Sequence, residues 1–130
     1  MNNGARVLVV SRDQMLLQTR KLILGSIFNV EAAGRVSEAE LMMAKHRFEL
    51  IVLCYSLADD EFANMIDLAQ RQKPRPKILT LRSAADPYAR ANADPETMVE
   101  NGPYALMKRS AELLQIQVKG IGRLGRLATT

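Results

Sequence analysis

The sequence predicts an α/β domain in which a parallel sheet is covered by helices on both faces. Three observations carry this. Short runs rich in β-branched and apolar residues, without the alternation of a half-exposed strand, recur at Arg6–Val10, Leu50–Cys54 and Lys77–Leu81, as expected for strands buried on both sides. Helix-start signals and amphipathic stretches separate them, and strand followed by helix repeated along a chain implies right-handed crossovers and parallel pairing. The length, 130 residues, suits one core and is too short for two.

The elements follow in order. After Val7-Leu8-Val9-Val10 the chain reaches Ser11-Arg12-Asp13-Gln14, where Ser11 and Gln14 have capping-box spacing. A helix is predicted from Arg12 to Leu24, with Leu16, Thr19, Leu22 and Ile23 inward, Arg20 and Lys21 in water, and Gly25 as the stop. Residues 27–32 read as a weaker second strand. Ser37 and Glu40 suggest another capping box, opening a helix through Leu41, Met42, Ala44 and Lys45. Leu50-Ile51-Val52-Leu53-Cys54 is the strongest central-strand signal. Asp59-Asp60-Glu61 suits the positive end of a helix that turns Phe62, Met65, Ile66 and Leu68 inward. Lys73-Pro74-Arg75-Pro76 ends it, and the fourth strand follows at Lys77. Asp86-Pro87 reads as the start of a short helix to about Ala93, and Thr97-Met98-Val99 as a brief fifth strand. Gly102-Pro103 opens a last helix with Leu106, Leu113, Leu114 and Val118 on one side.

Composition excludes several classes. One cysteine, Cys54, and one histidine, His46, leave no disulfide framework and no Cys- or His-rich metal site. No apolar run approaches the ~18 to 20 residues of a membrane span, and the N-terminus lacks a signal-peptide core; a cytoplasmic location is expected. The net charge of +4 lies wholly in the segment from Gly102 onward, where Lys108, Arg109, Lys119, Arg123 and Arg126 face Glu112 alone. Nucleic-acid contact is therefore expected only through the basic tail.

The blocks "RVLVVSRDQ", "FELIVLCYSLADDE" and "PRPKILTLRS" resemble, in sequence and spacing, the receiver domain of bacterial two-component response regulators. The resemblance spans residues 5 to about 118. It implies a flavodoxin-like, doubly wound five-stranded parallel sheet in the order 2-1-3-4-5, a receiver-like domain over residues 1–118, and a flexible, basic, glycine-containing tail over 119–130. Receivers carry an aspartate at the end of the third strand that accepts a phosphoryl group from a histidine kinase. Two acidic residues after the first strand hold Mg²⁺ beside it, and a Ser or Thr after the fourth strand and a Lys after the fifth contact the phosphoryl oxygens.

Laid onto this sequence, the resemblance implies a degenerate pocket of Ser11, Arg12, Asp13, Cys54, Ser56, Leu81 and Ser83. Ser11 and Arg12 stand where the acidic pair belongs, and Cys54 where the phosphoacceptor belongs. Leu81 or Arg82 falls near the hydroxyl position, with Thr80 and Ser83 close by, and Gly102-Pro103 meets the lysine-proline step without its lysine. A thiol pairs badly with a hard cation. Neither a metal site, nor a cofactor, nor a catalytic residue is expected.

Each residue also has a plain structural reading. Cys54 suits a small buried hydrophobe ending a core strand, against a modifiable thiol. Arg12 either fills the vacated metal space or is a solvated first-turn side chain. Asp59, Asp60 and Glu61 are expected to serve the helix dipole, and His46 the end of the second helix. Ser11 has a capping role that needs no nucleophilic chemistry. In receivers the face formed by the fourth helix, fifth strand and fifth helix is the usual partner and dimer surface; here it would include Tyr88, Arg90, Tyr104, Met107, Lys108 and Glu112.

The expected function is a stand-alone pseudo-receiver of the phosphorelay type that contacts another signalling protein or itself as a homodimer, without Mg²⁺-dependent aspartyl phosphorylation. The alternatives are a phosphorylatable regulator with an atypical acceptor such as Asp13 or Ser56, and a small flavodoxin-like ligand-binding protein or enzyme using the strand-end crevice.

Overall fold

The described residues, 4–82, 96–99 and 102–115 of the computed structural model, alternate strand and helix along the chain. The elements are β1 (Arg6–Val10), α1 (Gln14–Gly25), β2 (Asn29–Ala33), α2 (Val36–Lys45), β3 (Leu50–Leu53), α3 (Asp59–Gln70), β4 (Lys77–Arg82), β5 (Glu96–Val99) and α4 (Gly102–Leu113). All pairings are parallel and the strand order is β2-β1-β3-β4-β5. Both the fold class and the strand order agree with expectation. The helix expected over 86–93 and the tail from residue 116 lie outside the described residues.

Alternation of side chains through the sheet divides the core in two. Val7, Val9, Leu50, Val52, Cys54, Leu79 and Leu81 face α1 and α4, meeting Leu17, Leu24, Leu106 and Ala111. Leu8, Val10, Ile51 and Leu53 face α2 and α3, meeting Ala39, Met43, Phe62, Met65 and Ala69. Val7–Val10 and Leu50–Leu53 are at most 1% exposed, so these two strands have no wet face.

The first helix departs from expectation. It begins at Gln14, and its N-cap is Asp13, whose Oδ1 accepts from the Met15 and Leu16 N–H groups at 2.9 and 3.1 Å. Asp13 wins over Ser11 because Ser11 is drawn under the end of β1, where its backbone N–H donates to Ala33 O at 3.1 Å. The later start rotates the buried stripe to Leu17, Arg20 and Leu24. Leu22, expected inward, is 78% exposed, and Thr19 is exposed too. Arg20, expected in water, is 1% exposed, with its guanidinium carbon 5.6 Å from the Tyr55 ring centroid, a cation–π distance.

Smaller shifts occur elsewhere. β2 starts at Asn29 because Ile27 and Phe28 still close the end of α1, the Phe28 N–H donating to Leu24 O. The N-cap of α2 is Arg35, with no side-chain hydrogen bond, so Ser37 lies inside the helix rather than capping it. α3 starts at Asp59 as expected, with Phe62, Met65 and Ala69 buried and Ile66 and Leu68 half-buried. His46 caps α2 through its N–H to Met42 O, and its Nδ1 accepts from Arg6 Nη1 at 2.8 Å. In α4, Leu106 and Ala111 are buried and Leu113 is half-buried, as is Leu114 just past its end, both packed against the core. The chain leaves the helix with Gln115 in the left-handed region at φ 55.

The rotation of α1 is testable by urea denaturation. Leu22→Ser is expected to change stability by no more than about 0.5 kcal/mol, as for other exposed substitutions. Leu17→Ala should cost about 2–5 kcal/mol, as for a leucine deleted from a close-packed core.

Candidate functional site

In parallel α/β sheets a site forms at the carboxyl ends of the strands, where the order reverses. That point lies between β1 and β3, whose register pairs Val10 with Leu53. The next residues, Ser11 and Cys54, are both 0% exposed, and the Cys54 N–H donates to Val10 O at 3.1 Å. The ladder thus continues one bond past the strands and holds these residues side by side.

Two serines close the crevice. The Ser11 and Ser56 hydroxyls lie 2.9 Å apart. Ser11 Oγ donates to Asp13 O at 3.1 Å, so the proton between the serines comes from Ser56, each hydroxyl having one to give. Ser56 Oγ in turn accepts the Arg12 N–H at 2.9 Å, and the Asp13 N–H lies 3.4 Å from it. The Asp13 N–H also donates to Ser11 Oγ at 3.2 Å, so the two hydroxyls together satisfy the Arg12 and Asp13 amides of the β1–α1 loop. Sequence spacing gives no sign of this, since the two loops are 45 residues apart.

Arg12 is exposed but not solitary. Its Nη2 lies 2.7 Å from Glu61 Oε2, and its Nε donates to the same oxygen at 2.8 Å. Glu61 Oε1 accepts the Ala58 N–H at 2.8 Å, the one half of a capping box that an alanine N-cap allows. These bonds hold Glu61 below the usual carboxylate range, the Arg12 hydrogen bond first and the Ala58 amide second, while the Glu61 hydrogen bond and charge raise Arg12. Of the three acids at the start of α3, Glu61 thus belongs to Arg12 as well as to its own helix, a role the sequence did not signal.

Cys54 is wholly buried among Val52, Leu81 and the residues of α1 and α4. Leu81 shares that core and Thr80 is 6% exposed; Ser83 lies outside the described residues. The structure brings together Ser11, Arg12, Asp13 and Ser56, and places Cys54 and Leu81 in the apolar layer that the sheet shares with α1 and α4. Among the described residues no three His, Cys, Asp or Glu side chains converge on a metal position. The carboxylates at hand are committed, Asp13 to the α1 amides and Glu61 to Arg12. This set does not fit the hard divalent cation that receivers use, which needs several oxygen ligands.

Of the surface expected for partners, Tyr104, Lys108 and Glu112 are exposed on α4. Met107 is half-buried, packing partly against the core and keeping part of its surface in water. Tyr88 and Arg90 lie outside the described residues. On α1, Met15 and Leu22 are 80% and 78% exposed, apolar surface that the sequence reading missed by placing Leu22 inside.

No protein-family model matches the sequence, and no curated protein matches it. Solved structures do. The chemotaxis protein CheY4 of Vibrio cholerae matches with a TM-score of 0.71 at 23% identity, over 85% of this chain and 98% of that one. A CheY-like response regulator receiver domain protein of Methanospirillum hungatei matches with a TM-score of 0.71 at 24% identity, over 87% and 95%. A putative response regulator of Chloroflexus aurantiacus gives a TM-score of 0.73 at 19% identity, over 87% and 99%. The class defined by the architecture is therefore the flavodoxin-like fold. Its strand order β2-β1-β3-β4-β5 falls within that fold, which the chain shares with these CheY-like structures.

Two outcomes follow from the crevice geometry. Ser56→Ala removes the acceptor of the Arg12 amide and should cost about 1–2 kcal/mol in urea denaturation, with faster hydrogen exchange at Arg12 and Asp13. Because Glu61 is depressed from its ordinary value of 4.5 in the folded chain, its contribution is complete above that value and is lost as pH falls through the lower folded-state value. The Arg12 Nε–H NMR signal should therefore report an intact pair at pH 5 and above and release only in more acid solution.

Proposed function

We propose that the chain is a receiver-like signalling module that works by protein–protein contact and does not undergo Mg²⁺-dependent aspartyl phosphorylation. One observation carries the reading: at the carboxyl edge of β1 and β3, where a receiver gathers its acidic residues, the guanidinium of Arg12 is held by Glu61 and the residue just past β3 is a wholly buried thiol. Arg12 puts a positive charge at this edge, and Glu61 answers it. The thiol lies in an apolar layer where an ionised acceptor would be strongly disfavoured.

The serine set argues against an atypical acceptor. Phosphorylating Ser56 would remove the proton it gives Ser11 and crowd the amides of Arg12 and Asp13. Asp13 holds two amides of α1, and its modification would uncap that helix. A non-catalytic role is supported by the same features: among the described residues of the crevice, no nucleophile is hydrogen-bonded to a basic side chain. Exposed Tyr104, Lys108 and Glu112 on α4, together with Met15 and Leu22 on α1, suit contact with another signalling protein or a second copy. No helix among the described residues is long and apolar enough to cross a membrane; a cytoplasmic module of residues 1–118 with a basic tail over 119–130 remains part of this reading.

Incubation with acetyl phosphate and Mg²⁺, followed by intact-mass measurement, tests the proposal. No phosphoryl adduct is expected on any residue. An acid-stable adduct on Ser56, or a hydroxylamine-sensitive one on Asp13, would establish the phosphorylatable alternative.

A further inference from the structure

We propose that a cleft at the opposite end of the sheet binds a small organic anion of about nucleotide size, its phosphate or carboxylate facing Arg47, Arg75 and Lys77 and its apolar body resting on Leu113 and Leu114. The cleft holds about 460 Å³ and is lined by residues 47–49, by Pro74, Arg75 and Lys77, and by residues 113–115. Such a volume lies in the range of small-ligand pockets. It sits at the amino-terminal edge of the strands, where the Glu49 N–H donates to Arg6 O and the Lys77 N–H to Glu49 O, each at 2.9 Å. The crevice of Ser11 and Cys54 is at the other edge, so this inference stands or falls apart from the reading above.

Charge selects the ligand class. Arg47 and Arg75 come from two different loops, and Lys77 opens β4; the one carboxylate in the lining, Glu49, already accepts the Arg6 backbone N–H at 2.6 Å. Elsewhere Arg12, Arg35, Arg71 and Arg109 each hold a carboxylate. Arg47, Arg75 and Lys77 hold none among the described residues. Three like charges around one concavity raise its positive potential and favour an anion, with guanidinium forks suited to phosphate or carboxylate. Pro74, Leu113 and Leu114 add an apolar wall, which a bare inorganic ion would leave in water. The chain's own last segment carries Lys119, Arg123 and Arg126, the wrong sign for this site.

The test is an NMR titration of the full chain with adenosine 5′-monophosphate and with hexyl phosphate, set against inorganic phosphate and adenosine alone. Saturable shifts of the Arg47, Arg75 and Lys77 amides and the Leu113 and Leu114 methyls are expected for at least one of the two amphiphilic anions, in the roughly millimolar range or tighter. Which one saturates tells an aromatic body from an aliphatic one. Arg75→Gln combined with Lys77→Gln should weaken binding about tenfold while leaving the Ser11–Asp13 signals in place. No saturation by either anion overturns the proposal, as do shifts indifferent to the double substitution or equal affinity for inorganic phosphate alone. Binding of a leucine-containing polyglutamate peptide where both small anions fail would overturn it too, assigning the cleft to protein docking.

Discussion

Burial of β1 and β3 on both faces is the constraint on which the rest of the molecule depends. A strand with no wet side must have every backbone group paired within the sheet and every side chain matched by a helix above or below. Val7–Val10 and Leu50–Leu53 meet this condition completely. It demands β2 and β4 as flanking partners, α1 and α4 on one face, and α2 and α3 on the other. The first turn of α1 and the β3–α3 loop are then brought to the same edge because their strands are neighbours.

That constraint reaches past the strand ends. The Cys54 N–H still belongs to the ladder, so its side chain falls in the layer under α1 and α4. Whatever stands at this position must be tolerable there, and a thiol is. At the same edge, Ser56 and Ser11 Oγ accept the Arg12 and Asp13 amides, and Arg12 reaches across to Glu61. The result is a crevice whose polar groups answer one another.

The strands were legible in the sequence because a doubly buried strand writes its pattern in adjacent residues. Leu50–Leu53 needs no partner to be recognised. Helix existence was legible too, but the facing of α1 was not. Ser11 and Asp13 are both competent caps, and only the tertiary bond from the Ser11 amide to Ala33 decides between them. That choice turns Leu22 outward and Arg20 inward, under Tyr55. At the site, the positions of Ser11, Arg12, Asp13 and Ser56 followed from strand ends. Their bonding did not, since Ser56 to Arg12 and Arg12 to Glu61 join separate loops. The cationic cleft went unnoticed for a related reason: Arg47, Arg75 and Lys77 read as solvated charges until the sheet edge gathers them.

An amide NMR spectrum titrated with Mg²⁺ and then with beryllofluoride, a mimic of an aspartyl phosphate, tests the central claim most directly. If Arg12 and Glu61 satisfy each other and the residue just past β3 is a buried thiol, the signals of Ser11–Asp13 and Cys54–Leu57 stay where they are throughout. Saturable shifts at those residues, spreading to Tyr104 on α4, would show a responsive metal-binding pocket and contradict the account.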